Sequence, residues 1–182
     1  MTHPLALITG ATGGIGSAVA HRLWQEGYSL IAHGRTKQKL GVLADGLRPT
    51  RQDGQVLALP CFEATTDSWW RFGTIMESPE FQGHILSLLA VCHGAAPMPG
   101  PAMDTTDAMR EVFEVDVLGA LTACQLAGKY MLPQKHGSIA LVSSLHAHQT
   151  YPARVPYATA KAAICGMARA LAVEWGQYGV RI

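Results

Sequence analysis

Three residues in the C-terminal half have the types and spacing that proton transfer needs: Ser144, Tyr157 and Lys161. Tyr157 and Lys161 are four positions apart, so they share one face of a helix. An ammonium group beside a phenol favours the phenolate, which lets a tyrosine exchange a proton closer to neutral pH. Ser144 follows an apolar run, and its hydroxyl could hydrogen-bond a substrate carbonyl oxygen. The trio predicts acid–base chemistry at a carbonyl or an alcohol.

A glycine-rich segment near the N-terminus, Thr9-Gly-Ala-Thr-Gly-Gly-Ile-Gly16, indicates a dinucleotide site. Glycines permit a tight turn and a close approach of the backbone to a pyrophosphate, and the N-terminus of the following helix offers free N–H groups. The spacing of Gly10, Gly14 and Gly16 fits one dinucleotide-binding variant, and that of Gly10, Gly13 and Gly16 fits another. The motif alone does not separate them.

Each of these motifs also has a structural alternative. A tyrosine and a lysine at helical spacing are a common half-buried surface feature, and a glycine turn can simply connect a strand to a helix. The functional interpretation is favoured because every motif falls at the carboxyl end of a predicted strand. Ligands of open parallel sheets bind at those ends.

Short apolar runs alternate with longer helical stretches along the whole chain. Continuous apolar strands between helices predict an α/β fold: a parallel sheet of about six strands with helices on both faces and right-handed crossovers. The predicted strands are 5–9, 29–33, 56–61, 85–92, 138–142 and 180–182. The predicted helices follow the glycine turn to about residue 26 and span 37–47, a segment from Asp67 containing Trp69, Trp70, Phe72 and Ile75, 106–131 and 155–175.

Composition excludes several classes of protein. The chain is 48% hydrophobic and 15% charged with a net charge of +1, which argues against disorder and against a nucleic-acid binder. The longest apolar run, near residues 85–92, is too short for a membrane helix, which needs about 20 residues. The N-terminus has no basic region of a signal peptide. We therefore expect a cytoplasmic protein without membrane or nucleic-acid partners.

Metal binding is not expected. Four cysteines form no C-x-x-C pair and lie in apolar surroundings, as buried thiols of a reducing compartment do. His146 and His148 could ligate a metal, but no third ligand stands nearby in sequence. A loop or the lining of a substrate pocket is the favoured interpretation of that pair. The cysteines are Cys61, Cys92, Cys124 and Cys165.

Taken together, these motifs resemble the short-chain dehydrogenase/reductase family, in its compact single-domain branch, and are similar to those of 3-oxoacyl-carrier-protein reductases. The resemblance rests on the glycine turn at 9–16, Ser143-Ser144, Tyr157-x-x-x-Lys161 and the tail 169–182. It implies a Rossmann-type doubly wound fold. It also implies an oxidoreductase that transfers a hydride between a nicotinamide cofactor and a carbonyl or secondary alcohol, with Tyr157 as the acid/base. Ser144 would orient the oxygen, and Lys161 would hold the nicotinamide ribose and tune Tyr157.

The resemblance also implies which cofactor residues to expect, and strand two favours NADP over NAD. Gly34 stands where an NAD-binding chain usually carries a carboxylate, and Arg35 follows it with Lys37 and Lys39 nearby. A guanidinium suits bidentate binding of a 2′-phosphate. The expected cofactor-binding residues are Thr9, Gly10, Thr12, Gly14, Ile15, Gly16, Arg35, His93, Tyr157 and Lys161.

The chain departs from the family pattern in three places. Cys92-His93-Gly94-Ala95 stands where Asn-Asn-Ala-Gly is usual, and His93 is either a proton-active group or a histidine that the backbone tolerates. Asp116 replaces an asparagine that helps hold a water in the proton relay, and it adds charge near Lys161. The sequence ends at Ile182, so residues 1–182 are expected to form one NAD(P)-binding domain without the family's C-terminal strand and substrate lid, either as a fragment or as a truncated family member.

These departures keep an alternative open. A catalytically impaired relative that binds cofactor or forms oligomers would also carry the motifs above. Family members usually dimerise through the long helix after strand four and the helix that carries Tyr157, so we expect a homodimer or homotetramer. The alternative for the apolar residues of those helices is that they simply cover the sheet.

Overall fold

The computed structural model describes residues 3–50, 53–60, 73–81 and 83–182. Within them, six parallel strands form one sheet in the order β3-β2-β1-β4-β5-β6, so the sheet grows outward in both directions from β1 and β4. This confirms the predicted fold class, a doubly wound α/β sheet. The strands are β1 His3–Thr9, β2 Ser29–Gly34, β3 Val56–Pro60, β4 His84–Val91, β5 Gly137–Leu141 and β6 Val180–Arg181.

Helices follow the strands at the places that the alternation predicts, and two of them have the predicted bounds. The helices are α1 Gly14–Gln25, α2 Lys37–Leu47, α3 Thr106–Val112, α4 Gly119–Gln134 and α5 Val155–Trp175. Residues 73–76 are also helical, but most of the helix predicted from Asp67 lies outside the described residues, as does Cys61.

The core is two apolar layers, one on each face of the sheet. Successive side chains of a strand point to opposite faces, so Leu5 and Leu7 pack on one side and Ala6 and Ile8 on the other. The first layer meets α4 and α5, and the second meets α1 and α2, where Trp24 is fully buried. Burial of each such large side chain contributes roughly 1.5–3 kcal/mol to folding.

The predicted single helix over 106–131 is wrong in one respect. The chain is helical throughout this stretch, but the segment Phe113–Leu118 has π-helical hydrogen bonding and separates α3 from α4. A π turn holds more residues than an α turn, so it rotates the residues that follow it about the axis. Apolar periodicity over a long helix does not reveal such a turn. The helix also continues past Met131 to Gln134 and ends where Lys135 adopts a left-handed conformation.

Candidate active site

Two positions of the glycine turn between β1 and α1 have no room for a side chain. Gly10 has φ +64°, and a Cβ there would lie 2.7 Å from the backbone nitrogen of His93. A Cβ on Gly16 would collide with the carbonyl group of Gly10. These two glycines belong to both spacing variants considered above. Gly13, the N-cap of α1, has no side chain to occupy the N–H groups of the first turn, which are oriented to receive an anion.

A cleft of about 700 Å³ opens beside this turn. Its walls come from the end of β2, from the segments that follow β1, β2 and β4, and from α3 and the π-helical segment. The cleft therefore lies at the carboxyl ends of adjacent parallel strands, the expected place for a ligand. Of the predicted cofactor residues, four line this cleft: Gly10, Thr12, Arg35 and His93.

The end of β2 provides the basic side of the cleft. Gly34 is buried, and a Cβ on it would make ordinary contacts with Thr12 and Leu40 at 3.5 Å. Arg35 and Lys39 are exposed and line the cleft, whereas Lys37 is exposed but is not part of the lining. No carboxylate of β2 meets a ligand at this end, because the strand ends in His33 and Gly34.

His93 connects three elements at the floor of the site. The Nε2–H of His93 donates to the carbonyl oxygen of Val115 at 3.0 Å because a carbonyl can only accept, which in the neutral ring places the single proton on Nε2. Its Nδ1 therefore accepts from the Thr9 hydroxyl at 2.7 Å, and that hydroxyl accepts from the N–H of Cys92 at 3.2 Å. Burial lowers the pKa of His93. A half-buried neutral connector is therefore the interpretation that the structure favours over a proton-active group.

His33 also lines the cleft and is kept neutral by its surroundings. Burial, and secondarily the nearby His93, lower the pKa of His33 from 6.5 to about 4. Thr9, by contrast, is fully buried, and its hydroxyl is directed at β4 rather than at the cleft. Thr9 thus contributes to the site through the position of His93.

Asp116, in the π-helical segment, is joined to both sides of the site. Its Oδ1 accepts the N–H of Ala95 at 2.6 Å, and its Oδ2 lies 3.0 Å from Lys161 Nζ. The side chains of Asp116 and Lys161 are 0% and 5% exposed, so this ion pair is removed from water. The sequence predicted added charge near Lys161; the structure shows direct contact.

Lys161 is held by its other contacts in one position beside Tyr157. Its Nζ also donates to the carbonyl oxygen of Val142 at 3.3 Å and lies 5.6 Å from the centroid of the Tyr157 ring. Its own backbone carbonyl accepts from the Ser143 hydroxyl at 2.9 Å, which ties α5 to the end of β5. The predicted tyrosine–lysine pair is therefore brought together as its spacing implied.

Ser144 begins a helical turn, Leu145–Ala147, at the end of β5. Its Oγ accepts the N–H of His146 at 3.2 Å, which leaves its O–H free to donate to a substrate. The ring of His146 stands edge-on to Tyr157, with centroids 5.6 Å apart, and edge-on to Tyr151 at 5.3 Å. His146, which the sequence left between loop and pocket lining, therefore lies beside the candidate acid/base.

The cleft and the Tyr157 group meet at Gly94. This glycine lines the cleft, and a Cβ on it would lie 3.1 Å from Lys161 Nζ and 3.2 Å from Asp116 Oδ2. Sequence reasoning did not single out Gly94, although its place in the family's small-residue segment was a signal. The remaining predicted residues lie away from the lining: Gly14 and Gly16 open α1, and Ile15 is 57% exposed.

Among the described residues, no group of three or more histidine, cysteine, aspartate or glutamate side chains is arranged to hold a metal ion. None of the helices in the described part of the chain is both long and apolar enough to cross a membrane.

The doubly wound fold, the glycine turn and the tyrosine–lysine pair occur together in this chain, and comparison with known proteins gives the family. The family described as "short chain dehydrogenase" matches residues 4–182, and the chain belongs to it. This confirms the resemblance seen in the motifs. The family comprises oxidoreductases that use nicotinamide cofactors.

Individual relatives span several activities. The chain is 31% identical to the short-chain reductase protein NovJ of Streptomyces niveus, over 98% of this chain and 66% of that protein. It is 30% identical to an NADPH-dependent 1-acyldihydroxyacetone phosphate reductase of Saccharomyces cerevisiae, over 98% of this chain and 58% of that protein. A crystal structure of a 3-ketoacyl-ACP reductase from Sinorhizobium meliloti 1021 superposes with a TM-score of 0.90 at 27% identity, covering 98% of this chain and 69% of that one.

The chain therefore spans about three fifths to two thirds of the length of these curated relatives.

Proposed function

We propose that this protein transfers a hydride between NADP(H) and a carbonyl or secondary alcohol, with Tyr157 as the acid/base. The observation that carries the proposal is the junction at Gly94, where the cleft beside the glycine turn reaches the buried Lys161 ammonium beside the Tyr157 ring. This position beside the cleft favours a functional tyrosine–lysine pair over a purely structural pair on a helix surface.

The residues present fit a nicotinamide dinucleotide. The glycine turn permits the backbone to approach a pyrophosphate at the N-terminus of α1, and a side chain on Gly10 would fill that approach. Lys161 has three N–H groups, of which one faces Asp116 and one binds Val142, so one remains for a ribose hydroxyl. When bound, the nicotinamide ring supplies or accepts the hydride.

In the direction of reduction, the chain's own residues handle the oxygen and the proton. The Ser144 O–H donates a hydrogen bond to the substrate carbonyl oxygen, which its accepted bond from His146 leaves it free to do. The Tyr157 hydroxyl then gives its proton to that oxygen as negative charge develops on it. Water restores the proton of Tyr157 afterwards. In the direction of oxidation, the same groups act in reverse.

Preference for NADP(H) is supported by the basic side of the cleft. Arg35 and Lys39 line it where a 2′-phosphate would lie, and β2 ends in a glycine rather than a carboxylate. The yeast relative is named as NADPH-dependent, which agrees with this preference. The cleft lining also includes two carboxylates, Glu111 and Glu114, so it carries charges of both signs.

A homodimer or homotetramer remains part of the proposal. Several of the apolar residues considered for contact between subunits, among them Val112, Leu126 and Ile164, are buried within the monomer and cover the sheet. Leu118 is 48% exposed at the start of α4 and is available for association.

The test is turnover. NADPH oxidation is followed with a panel of ketones, β-ketoacyl thioesters and aldehydes, for the parent, for Tyr157→Phe and for Tyr178→Phe, in the short helical turn after α5, as the control. We expect Tyr157→Phe to lower kcat by at least about 100-fold, the usual scale of acid–base catalysis, with unchanged folding and NADPH affinity. The control should retain parental turnover. Near-normal turnover of Tyr157→Phe would refute this role of the tyrosine.

A second candidate, a cofactor-binding relative without turnover, is favoured by one observation. The Lys161 ammonium is neutralised by direct contact with Asp116, whereas the resemblance implies an asparagine at that position. Tight NADPH binding by the parent, without turnover of any compound in the panel, would support this candidate.

A further inference from the structure

The direct contact between Asp116 and Lys161 bears on the direction in which the site works best. We propose that Asp116 is a positioning residue that neutralises the Lys161 ammonium, so that Tyr157 serves as a proton donor at neutral pH and the site favours carbonyl reduction over alcohol oxidation. This inference rests on the proposed function, because it concerns the role of Tyr157 in that reaction.

The geometry makes the neutralisation strong. An ammonium alone beside a phenol stabilises the phenolate, and the Lys161 Nζ is 5.6 Å from the ring centroid of Tyr157. The opposite charge of Asp116 lies only 3.0 Å from that Nζ. Both side chains are buried, so little water screens the pair, and its field at Tyr157 is that of a short dipole rather than of a free cation.

The carboxylate is held so that it cannot turn away from Lys161. Its second oxygen accepts the N–H of Ala95 at 2.6 Å, a short charge-assisted bond from the segment after β4. Lys161 is in turn anchored to the carbonyl oxygen of Val142 at 3.3 Å. The ion pair thus directly joins the segment after β4, through Ala95 and Asp116, to Lys161 of α5.

The other titratable groups around the pair do not replace Asp116. Burial lowers the pKa of His93, and at that ring the charges of Asp116 and Lys161 act in opposite directions. Burial raises the pKa of Cys92, so its thiol is uncharged at neutral pH. His146 faces Tyr157 edge-on from the loop after β5 and is half-buried.

The consequence concerns the direction of proton transfer. Reduction requires a protonated Tyr157, which gives its proton to the substrate oxygen while NADPH is oxidised to NADP⁺. Oxidation requires the phenolate, which accepts the proton of the alcohol while NADP⁺ is reduced. With the Lys161 cation neutralised, the phenolate loses the charge that would stabilise it, so the site meets the first requirement better than the second.

The experiment that decides this inference does not depend on turnover. The phenolate absorbance of Tyr157 is titrated as the ultraviolet difference between a protein and its Tyr157→Phe counterpart, for the parent, for Asp116→Asn and for Asp107→Asn. Asp107 is the control because it is an exposed carboxylate on α3, with a side chain 97% exposed. Asp116→Ser is a second neutral variant. It is included because the amide of Asn has a single oxygen, which cannot serve both Ala95 and Lys161, and this can disturb folding.

We expect the phenolate to appear at a pH lower by about one unit in the neutral Asp116 variants, a roughly tenfold larger phenolate fraction at a given pH. Asp107→Asn should titrate like the parent. In turnover, the ratio of alcohol oxidation to carbonyl reduction at neutral pH should rise about tenfold in the variants. If no form turns over, the proposed function fails while the titration still decides the role of Asp116. An unchanged titration, or one displaced to higher pH, overturns the inference whether or not the protein is active.

Discussion

The region around the glycine turn and the region around Tyr157 both lie at the carboxyl ends of parallel strands, yet they are built by different means. The first is shaped by backbone: Gly10 and Gly16 allow contacts that no side chain would permit, and neutral histidines fill the floor. The second is held by charge, through the buried pair of Asp116 and Lys161. A backbone cradle suits a large ligand that is bound by many weak contacts. The buried ion pair instead fixes one atom, the Lys161 Nζ, beside the Tyr157 ring.

The difference also teaches where each region is vulnerable. Burial keeps the histidines of the first region neutral, so protonation at low pH destabilises the folded state there and makes this region sensitive to acid. A buried ion pair is sensitive to the loss of one partner, because the remaining charge has no solvent to stabilise it. The three predictions below separate the regions by these sensitivities, beginning with the largest effect.

Removal of the Lys161 ammonium should have the largest effect on stability. Lys161→Met keeps the apolar stem and leaves Asp116 buried without its partner, which costs about 3–5 kcal/mol of the free energy of unfolding. Denaturant unfolding of the parent and the variant measures this cost. The double variant Lys161→Met, Asp116→Asn should recover a large part of the loss, and Lys129→Met, at an exposed lysine of α4, should lose little. A loss below about 1 kcal/mol in the single variant would contradict the buried pair.

Acid should weaken the first region through His33. Its pKa is lowered from 6.5 to about 4 by burial and then by His93, so the unfolded chain takes up a proton at a higher pH than the folded one. The stability from neutral His33 is therefore complete above about pH 6.5 and declines toward pH 4, by about 1.4 kcal/mol per unit and roughly 3 kcal/mol in all.

The check is the pH dependence of unfolding in His33→Leu compared with the parent. The difference between the two curves should change by roughly 3 kcal/mol across that window, while His136→Leu, at an exposed histidine after α4, should follow the parent. Parallel curves for His33→Leu and the parent would show that His33 takes up its proton equally in both states.

The smallest effect is expected at the basic side of the cleft. Arg35→Ala removes a guanidinium that can bind a 2′-phosphate in bidentate fashion, a contact worth roughly 1.5–3 kcal/mol. The preference for NADPH over NADH should fall about 10- to 100-fold, with NADH binding spared. Kd for both cofactors is measured in the parent, in Arg35→Ala and in Lys37→Ala, whose side chain lies outside the cleft lining. Equal affinities in the parent, or no change in Arg35→Ala, would refute the preference.

Much of this architecture can be predicted from short, local sequence patterns. The bounds of α2 and α5 follow from apolar periodicity and are the predicted ones, and the four-residue spacing of Tyr157 and Lys161 brings them to one face of α5. The glycine turn can also be predicted from the sequence, because the positive φ at position 10 requires glycine, the one residue that adopts it freely. In each case the determining interaction lies within a few residues along the chain.

Only the tertiary structure decided the rest. The tautomer of His93 and the direct contact of Asp116 with Lys161 depend on residues far apart in sequence that the sheet brings together, and the π-helical segment leaves no mark in the apolar periodicity. Whether Asp116 meets Lys161 through water or directly is a matter of a few ångströms between the segment after α3 and α5. Sequence fixes which groups can carry charge there, but packing sets the distance between them, and with it the electrostatics of the site.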